Sequence, residues 1–345
     1  MKDKKTPVSL AVLPVLALLI YLFRSKIHFD FALFVRQLRL IDYRHVAAGV
    51  GLIWGTYLFR SWRWTILLAK LRKVSPLSLT GSHFIGFTAV AIFGRLADLS
   101  RPYIIAKRTR TSLSPQIAIY TLERMFDLGS AALVFSTALL FLPKNMPHHE
   151  TFVRVGAFSL AATIAIAIFA IAIRIAGSAL AAMAKAVLGR LSEGLGEAVA
   201  EKILGFREGL GAIPSVRSLV VTIILSIVMW AMIAGAYLQT AHAFVHTPQL
   251  GTLTFASVML LMAASLGGSL LQLPVIGWFT QIAATAASME AFYGAPIEAS
   301  TACGALLLIV TSLSIIPVGL VFSRIESISI GKVTEASEHA AETSA

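Results

Sequence analysis

Charge is scarce in this chain, cysteine is nearly absent, and lysine and arginine disappear from one long stretch; each shortage removes a class of protein. Charged residues are 13% of 345 against 57% hydrophobic, and mean hydropathy is +0.81. An ordinary soluble globule and a disordered chain are both excluded. The single cysteine, Cys303, excludes a disulfide framework and a cysteine-based metal site. No Gly-x4-Gly-Lys-Ser/Thr segment occurs, so no phosphate loop of an ATPase is present. His148-His149-Glu150 and the His242, His246 pair lack a third ligand and read as turn or helix-end residues; no metal and no cofactor is expected.

What is there is apolar runs of membrane-spanning length, which predict an all-α, polytopic helical membrane protein of about 6–8 transmembrane helices. Residues 1–324 form one transmembrane domain and 325–345 a disordered cytoplasmic tail. The net charge of +12 sits in short segments beside apolar runs. That pattern fits lipid headgroups and the positive-inside bias, and it excludes a nucleic-acid partner.

Lys2, Lys4 and Lys5 precede an apolar run at 8–23, and no small-x-small site follows it, so an uncleaved first helix is expected. Residues 27–45 place Phe31, Phe34, Leu38 and Ile41 at helical spacing with arginines between them, as an interfacial helix does. A second span begins at 46–59, and Arg60, Trp62, Arg63 and Trp64 mark a headgroup level. Residues 178–210 read as a cytoplasmic amphipathic helix weakened by glycine.

Residues 79–94 are apolar and flanked by basic segments on both sides, which predicts a re-entrant hairpin opening to the cytoplasm, broken at Gly94. No lysine or arginine lies between Arg217 and Arg324, so a second hairpin, broken at Pro274 beside Gly277, opens to the opposite side and both termini are cytoplasmic. Each hairpin ends in a short helix, a proline and a crossing helix. This is the pattern of an inverted-topology repeat with a substrate site between discontinuous helices; unrelated proline breaks are the alternative. The five basic residues of 24–44 fall on the wrong side in this topology.

Arg95, Asp98 and Arg101 leave the first hairpin, and Glu123, Arg124 and Asp127 follow in the next apolar helix on one face with Tyr120. Charges at membrane depth point to function. Arginines there suit a lipid phosphate, and carboxylates suit a cationic headgroup or a proton. Gln272 and Gln281 are the polar members of the second hairpin, with Glu290 nearer the interface. A structural ion-pair cluster tying the helix to Arg95 or Arg101 is the plainer reading of the same residues.

The run GRLADLSRPYIIAKR, the Ser-Pro helix start and LERMFDL resemble the lysylphosphatidylglycerol synthase transmembrane region family of flippase-like proteins. Arg63-Trp64 with Leu67-Leu68, and LQLPVIGWFTQIAATAASMEAFYGAP, resemble its other segments, so that the likeness covers most of 8–322. The resemblance implies a lipid translocase domain of the bacterial cytoplasmic membrane with about eight helices. In bifunctional members it moves an aminoacylated phospholipid made by a fused transferase; this chain, ending at Ala345, is expected not to synthesise that lipid. By position, Gly94, Arg95, Asp98 and Arg101 match the family's glycine-acidic-arginine segment, and Glu123, Arg124 and Asp127 its Glu-Arg pair and following acid. Asp98 stands where glutamate is usual, Ile276-Gly277-Trp278 replaces a more glycine-rich run, and Gln281 stands where many members have glutamate.

The expectation is a transporter of a phosphate-bearing lipid, aminoacylated lipid or lipid-linked intermediate. An intramembrane lipid-modifying enzyme using Glu123 or Asp98 as base, or a membrane anchor for a soluble glycosyl- or acyltransferase, are the alternatives. The partners expected are the lipid and the bilayer, with a second copy or a lipid-biosynthesis enzyme compatible.

Overall fold

The computed structural model describes residues 29–190, 192–211, 213–268, 276–331 and 333–335, without the side chains of residues 95, 96, 209 and 276. The expected first helix at 8–23, Gln272, Pro274 and the last ten residues lie outside the described residues. Among those described, the regular structure is helical with no strand.

Capping chemistry sets the first boundaries. The Asp30 carboxylate accepts from Ala32 and Leu33 to start α1 (Phe31–Arg39), and Asp42 accepts from Arg44 at 2.8 Å to start α2 (Tyr43–Leu68). The predicted 27–45 helix is therefore two elements with a cap between them. With 26 residues, α2 is about 39 Å long, and it runs straight through the Arg60–Trp64 cluster that had suggested a headgroup boundary.

Pro76 in the first turn and Ser75 as cap start α3 (Pro76–Phe93). Gly94, at φ 66° and ψ −145°, ends it in a conformation that only glycine adopts readily. A 3-10 turn (Gly94–Ala97) leads into α4 (Ser100–Thr109), which doubles back so that Ser100 Oγ donates to the Gly86 carbonyl at 3.2 Å. The chain continues as α5 (Leu113–Leu139), α6 (His149–Leu188), α7 (Glu193–Leu210), α8 (Val216–His242) and the single turn α9 (Pro248–Gly251). The second hairpin is α10 (Phe255–Gly268) and α11 (Ile276–Tyr293), and the last crossing is α12 (Ile297–Leu308), a π turn (Ile309–Leu313) and α13 (Ile315–Ile325). Among the described residues, four helices are long and apolar enough to cross a membrane: α3, α6, α8 and the run Ile297–Ile325. α2 and α5, with 26 and 27 residues, match them in length but carry charge.

The helices exchange partners between the two halves. α2 and α8 run antiparallel, with Asp42 N donating to the Ala243 carbonyl at 2.9 Å and Arg63 to Ser226 Oγ at 2.7 Å. α3 runs antiparallel to α13, where Phe84 stacks on Phe322 at 5.8 Å and Thr88 Oγ1 donates to the Ile315 carbonyl. α10 in turn packs on α5. The first arm of each hairpin thus leans on the crossing helix that follows the other hairpin.

The two hairpins open to opposite ends of the molecule. One end is basic: Lys70 donates to the Gly211 carbonyl, Arg72 to Thr109, Arg174 to Ile213, and Arg108 pairs with Glu326 at 2.5 Å. Pro76 and Thr109, the two ends of the α3–α4 hairpin, lie there. At the other end Asp30 N donates to Glu298, Thr247 Oγ1 to Gln37, and Phe152 packs on Phe292. Phe255 and Tyr293, the ends of the α10–α11 hairpin, lie there, tied by Tyr293 OH donating to the Ser257 carbonyl at 2.8 Å.

Two further expectations are corrected. Residues 178–188 belong to the 40-residue α6, which kinks at Ala176 and ends at Gly189; only Glu193–Leu210 is a separate helix, packed back on α6 with Gly177 against Arg207. The apolar stripe read across 187–203 spans that break. The tail is also partly folded: Ile330 and Val333 are buried with Ile85, Ala89, Ala97 and Ile104 of the first hairpin, because two apolar side chains in a polar tail still gain by leaving water.

Close approach in the second hairpin is specified by Gly268. A Cβ there would stand 2.7 Å from the Thr280 carbonyl oxygen and 2.9 Å from the Gln281 Cα. Those are backbone atoms with no rotamer to yield, so Gly268→Ala is expected to destabilise the protein by about 1–3 kcal/mol, read as the thermal midpoint in detergent. An unchanged midpoint would show that the arms are not held this closely.

Candidate functional site

The densest polar constellation lies where α2, α4 and α5 meet. Helical spacing puts Arg60 and Arg63 on one face of α2, and Glu123 and Asp127 on one face of α5. Arg63 Nη1 donates to Asp127 Oδ1 at 2.6 Å and Nη2 to Glu123 Oε1 at 2.6 Å. From α4, Arg101 Nη1 donates to both Glu123 oxygens, at 3.1 and 2.9 Å. Arg60 Nη1 stands 3.7 Å from Glu123 and 3.6 Å from Asp127, an ion pair beyond hydrogen-bond reach. Arg63 and Glu123 are 0% exposed and Arg101 1%.

Three guanidinium groups therefore face two carboxylates, and the buried cluster carries an excess of one positive charge. Desolvating such charges is expensive unless partners compensate each one. Compensation is incomplete in a directed way: Arg60 Nη1, Arg63 Nε and Arg101 Nη2 are buried without a hydrogen-bond acceptor. The Phe87 ring lies beneath two of these cations, its centroid 4.8 Å from Arg60 Cζ and 4.3 Å from Arg101 Cζ. What the arrangement lacks is acceptor oxygens carrying negative charge.

Gly86 lets α4 come this close. A Cβ at Gly86 would lie 2.2 Å from Arg101 Cγ and 3.2 Å from its Cα. The absence of a side chain there is what seats Arg101 against α3, at the residue just before Phe87.

Of the residues predicted from sequence, Arg101, Glu123 and Asp127 are brought together. Arg124 is not: one residue along a helix is a rotation of about 100°, and Arg124 is exposed, its guanidinium 4.8 Å from the Tyr120 ring centroid. It leaves the face assigned to it. Asp98 is half-buried at the tip of the first hairpin, between the 3-10 turn and α4, and has a contact of its own. The Arg95 side chain lies outside the described residues, and Gly94 occupies the break. In the second half, Gln281 is buried and donates to Ser265 Oγ at 2.9 Å, as Tyr237 OH does at 2.8 Å. Tyr237 is eleven residues beyond Ser226 on α8, about 16 Å along the axis, so this neutral network is separate from the arginine cluster. Gly277 is buried in the first turn of α11, and Glu290 is exposed.

Sequence reasoning missed Arg60 and Arg63 as members of the cluster, along with Phe87. The usable signal was their i, i+3 spacing inside a run that stays helical to Leu68, opposite the i, i+4 pair of carboxylates. Beside the cluster, Leu67 of α2, Leu71 in the turn after it, Ile119, Leu122 and Met125 of α5 and Phe206 of α7 line an open apolar cavity of 560 Å³ at the basic end, with Lys70 at its rim. None of the charged groups of the cluster lines it.

A family model described as the lysylphosphatidylglycerol synthase TM region matches residues 8–321. No curated protein and no solved structure matches the chain. A helical, membrane-embedded chain matched over nearly its whole length by that model belongs to the lysylphosphatidylglycerol synthase transmembrane-region family, whose name ties it to membrane lipid.

Proposed function

We propose that this protein translocates phosphate-bearing lipids across the bacterial cytoplasmic membrane, the lipid phosphate passing through the arginine cluster of α2, α4 and α5. The observation that carries the reading is the buried excess of guanidinium charge with unpaired N–H groups over Phe87. A phosphate supplies both the missing charge and the missing acceptors, and guanidinium groups bind it through paired N–H bonds.

The basic end faces the cytoplasm, where lysine and arginine are retained, and both termini lie on that side. The two hairpins are re-entrant and related by inverted topology. Support comes from their opening to opposite ends and from the reciprocal packing of α3 on α13 and α10 on α5. Their inner ends are the discontinuities at which such repeats form a path open to each side in turn. Transport is favoured over lipid chemistry because guanidinium groups engage both Glu123 and Asp127, which leaves neither poised as a general base.

Purified protein in liposomes with headgroup-labelled phosphatidylglycerol tests the reading. Label in the inner leaflet is expected to become accessible to an external quencher faster than in empty vesicles. Equal rates across a panel of anionic and zwitterionic headgroups, with and without a proton gradient, would remove the proposal.

A further inference from the structure

His83 is a buried ionisable group that the phosphate site does not yet use. It lies on α3 with no exposed surface, and neither ring nitrogen has a hydrogen-bond partner. Its ring meets the Trp64 ring edge-on at 5.6 Å, and the Trp64 indole N–H is likewise buried and unpartnered. Trp64 follows Arg63 directly in α2. His83 also shares a helix face with Phe87, one turn on, the ring that supports Arg60 and Arg101. An imidazole with two unsatisfied nitrogens in the wall of a cation cluster is not explained by packing alone, since a buried polar group without a partner is unfavourable and an apolar side chain would fill the space.

The groups that face it fix its chemistry. The charged groups that act on it are Arg60 and Arg63 of α2, Arg101 of α4 and Glu123 of α5. Glu326, beyond α13, meets α3 at Gly81 on another face and is paired with Arg108. A proton on His83 in the empty cluster would add a fourth cation to three guanidinium groups and two carboxylates. An arriving lipid phosphate cancels the excess positive charge that opposes protonation of His83 and offers oxygens to an imidazolium N–H.

Resting on the reading of the cluster as a lipid-phosphate site, we propose that His83 takes up one proton together with the lipid phosphate and returns it when the lipid leaves, so that lipid and proton occupy the site as a pair. The N–H bond forms at the ring nitrogen that lacks a proton in neutral imidazole. The proton comes from solvent at the open side and goes back to solvent on release; no other bond changes. The net charge of the loaded site is thereby restored, and a proton gradient can drive the lipid.

Calorimetric titration of the purified full chain with dihexanoylphosphatidylglycerol tests this, because that phosphodiester does not titrate between pH 5.5 and 8 and any proton exchanged belongs to the protein. Repeating the titration in buffers of different ionisation enthalpy counts protons per lipid bound. Wild type is expected to take up close to one proton within that range, with affinity falling by up to about tenfold per pH unit as pH rises. His83→Gln is expected to bind without proton uptake, with an affinity that no longer follows pH. Binding by wild type without uptake overturns the inference and leaves the phosphate site standing; undiminished uptake in His83→Gln overturns it as well. No binding by wild type at any pH overturns the phosphate site and the inference together. If His83→Gln does not fold, His83→Asn replaces it, and the wild-type proton count decides by itself.

Discussion

Glu123→Gln is expected to lose about 3–5 kcal/mol of stability, the penalty for leaving buried charge uncompensated when one partner of an ion pair is removed. Glu123 is the hub: Arg63 and Arg101 both donate to it, and Arg60 stands 3.7 Å away. Neutralising it leaves three buried guanidinium groups facing Asp127 alone. The glutamine is nearly isosteric, so the loss reflects charge rather than shape. Thermal unfolding in detergent reads it directly, with the yield of monodisperse protein as a second readout. Adding Arg101→Met in the same chain is expected to recover part of the stability, because it removes one orphaned cation while Arg63 keeps Asp127 at 2.6 Å. A Glu123→Gln protein as stable as wild type would mean that the cluster is solvated and not a buried ion network.

Arg101→Gln should do the opposite: leave the fold largely intact and remove most of the function. Without Arg101, Glu123 still holds Arg63 at 2.6 Å and the cluster becomes neutral, two cations against two carboxylates. Stability should therefore fall less than in Glu123→Gln. What is lost is the unpaired Nη2 and the excess positive charge. Hydrogen bonds to charged groups contribute about 1.5–3 kcal/mol, so affinity for a phosphate-bearing lipid should drop roughly 10- to 100-fold, and translocation in liposomes with it. Arg101→Lys should recover little, because a single ammonium cannot reproduce the planar fork that stacks on Phe87 and pairs with an oxyanion. Wild-type translocation by a folded Arg101→Gln protein would remove Arg101 from the lipid path.

The helical membrane class was legible from composition, and the two hairpins from where lysine and arginine stop. Apolar length and charge placement act locally, so a single sequence carries them. The site was legible in part. Arg101, Glu123 and Asp127 stood out as charges beside or inside apolar runs, but their partners Arg60 and Arg63 looked like a headgroup boundary. The same Arg-aromatic composition serves both ends, and only the carboxylates on α5, sixty residues on, decide between them. Arg124 was placed with Glu123 because it stands four residues from Tyr120 and three from Asp127, whereas a helix rotates it away from its neighbour Glu123. The break between α6 and α7 was hidden because apolar character continues through Leu188 into a glycine-weakened amphipathic segment. The tail shows the converse: Ile328, Ile330 and Val333, apolar residues in a polar segment, pack on the first hairpin.

The proposed function requires a lipid phosphate inside the protein, at the arginine cluster of α2, α4 and α5 and against Phe87 of α3. The most direct measurement is cryo-electron microscopy of the protein in nanodiscs containing phosphatidylglycerol. The prediction is headgroup density above the Phe87 ring, within hydrogen-bond distance of Arg60 and Arg101, with Glu123 still paired to Arg63. Well-resolved side chains in the cluster with lipid density confined to the outer perimeter of the helices would contradict it.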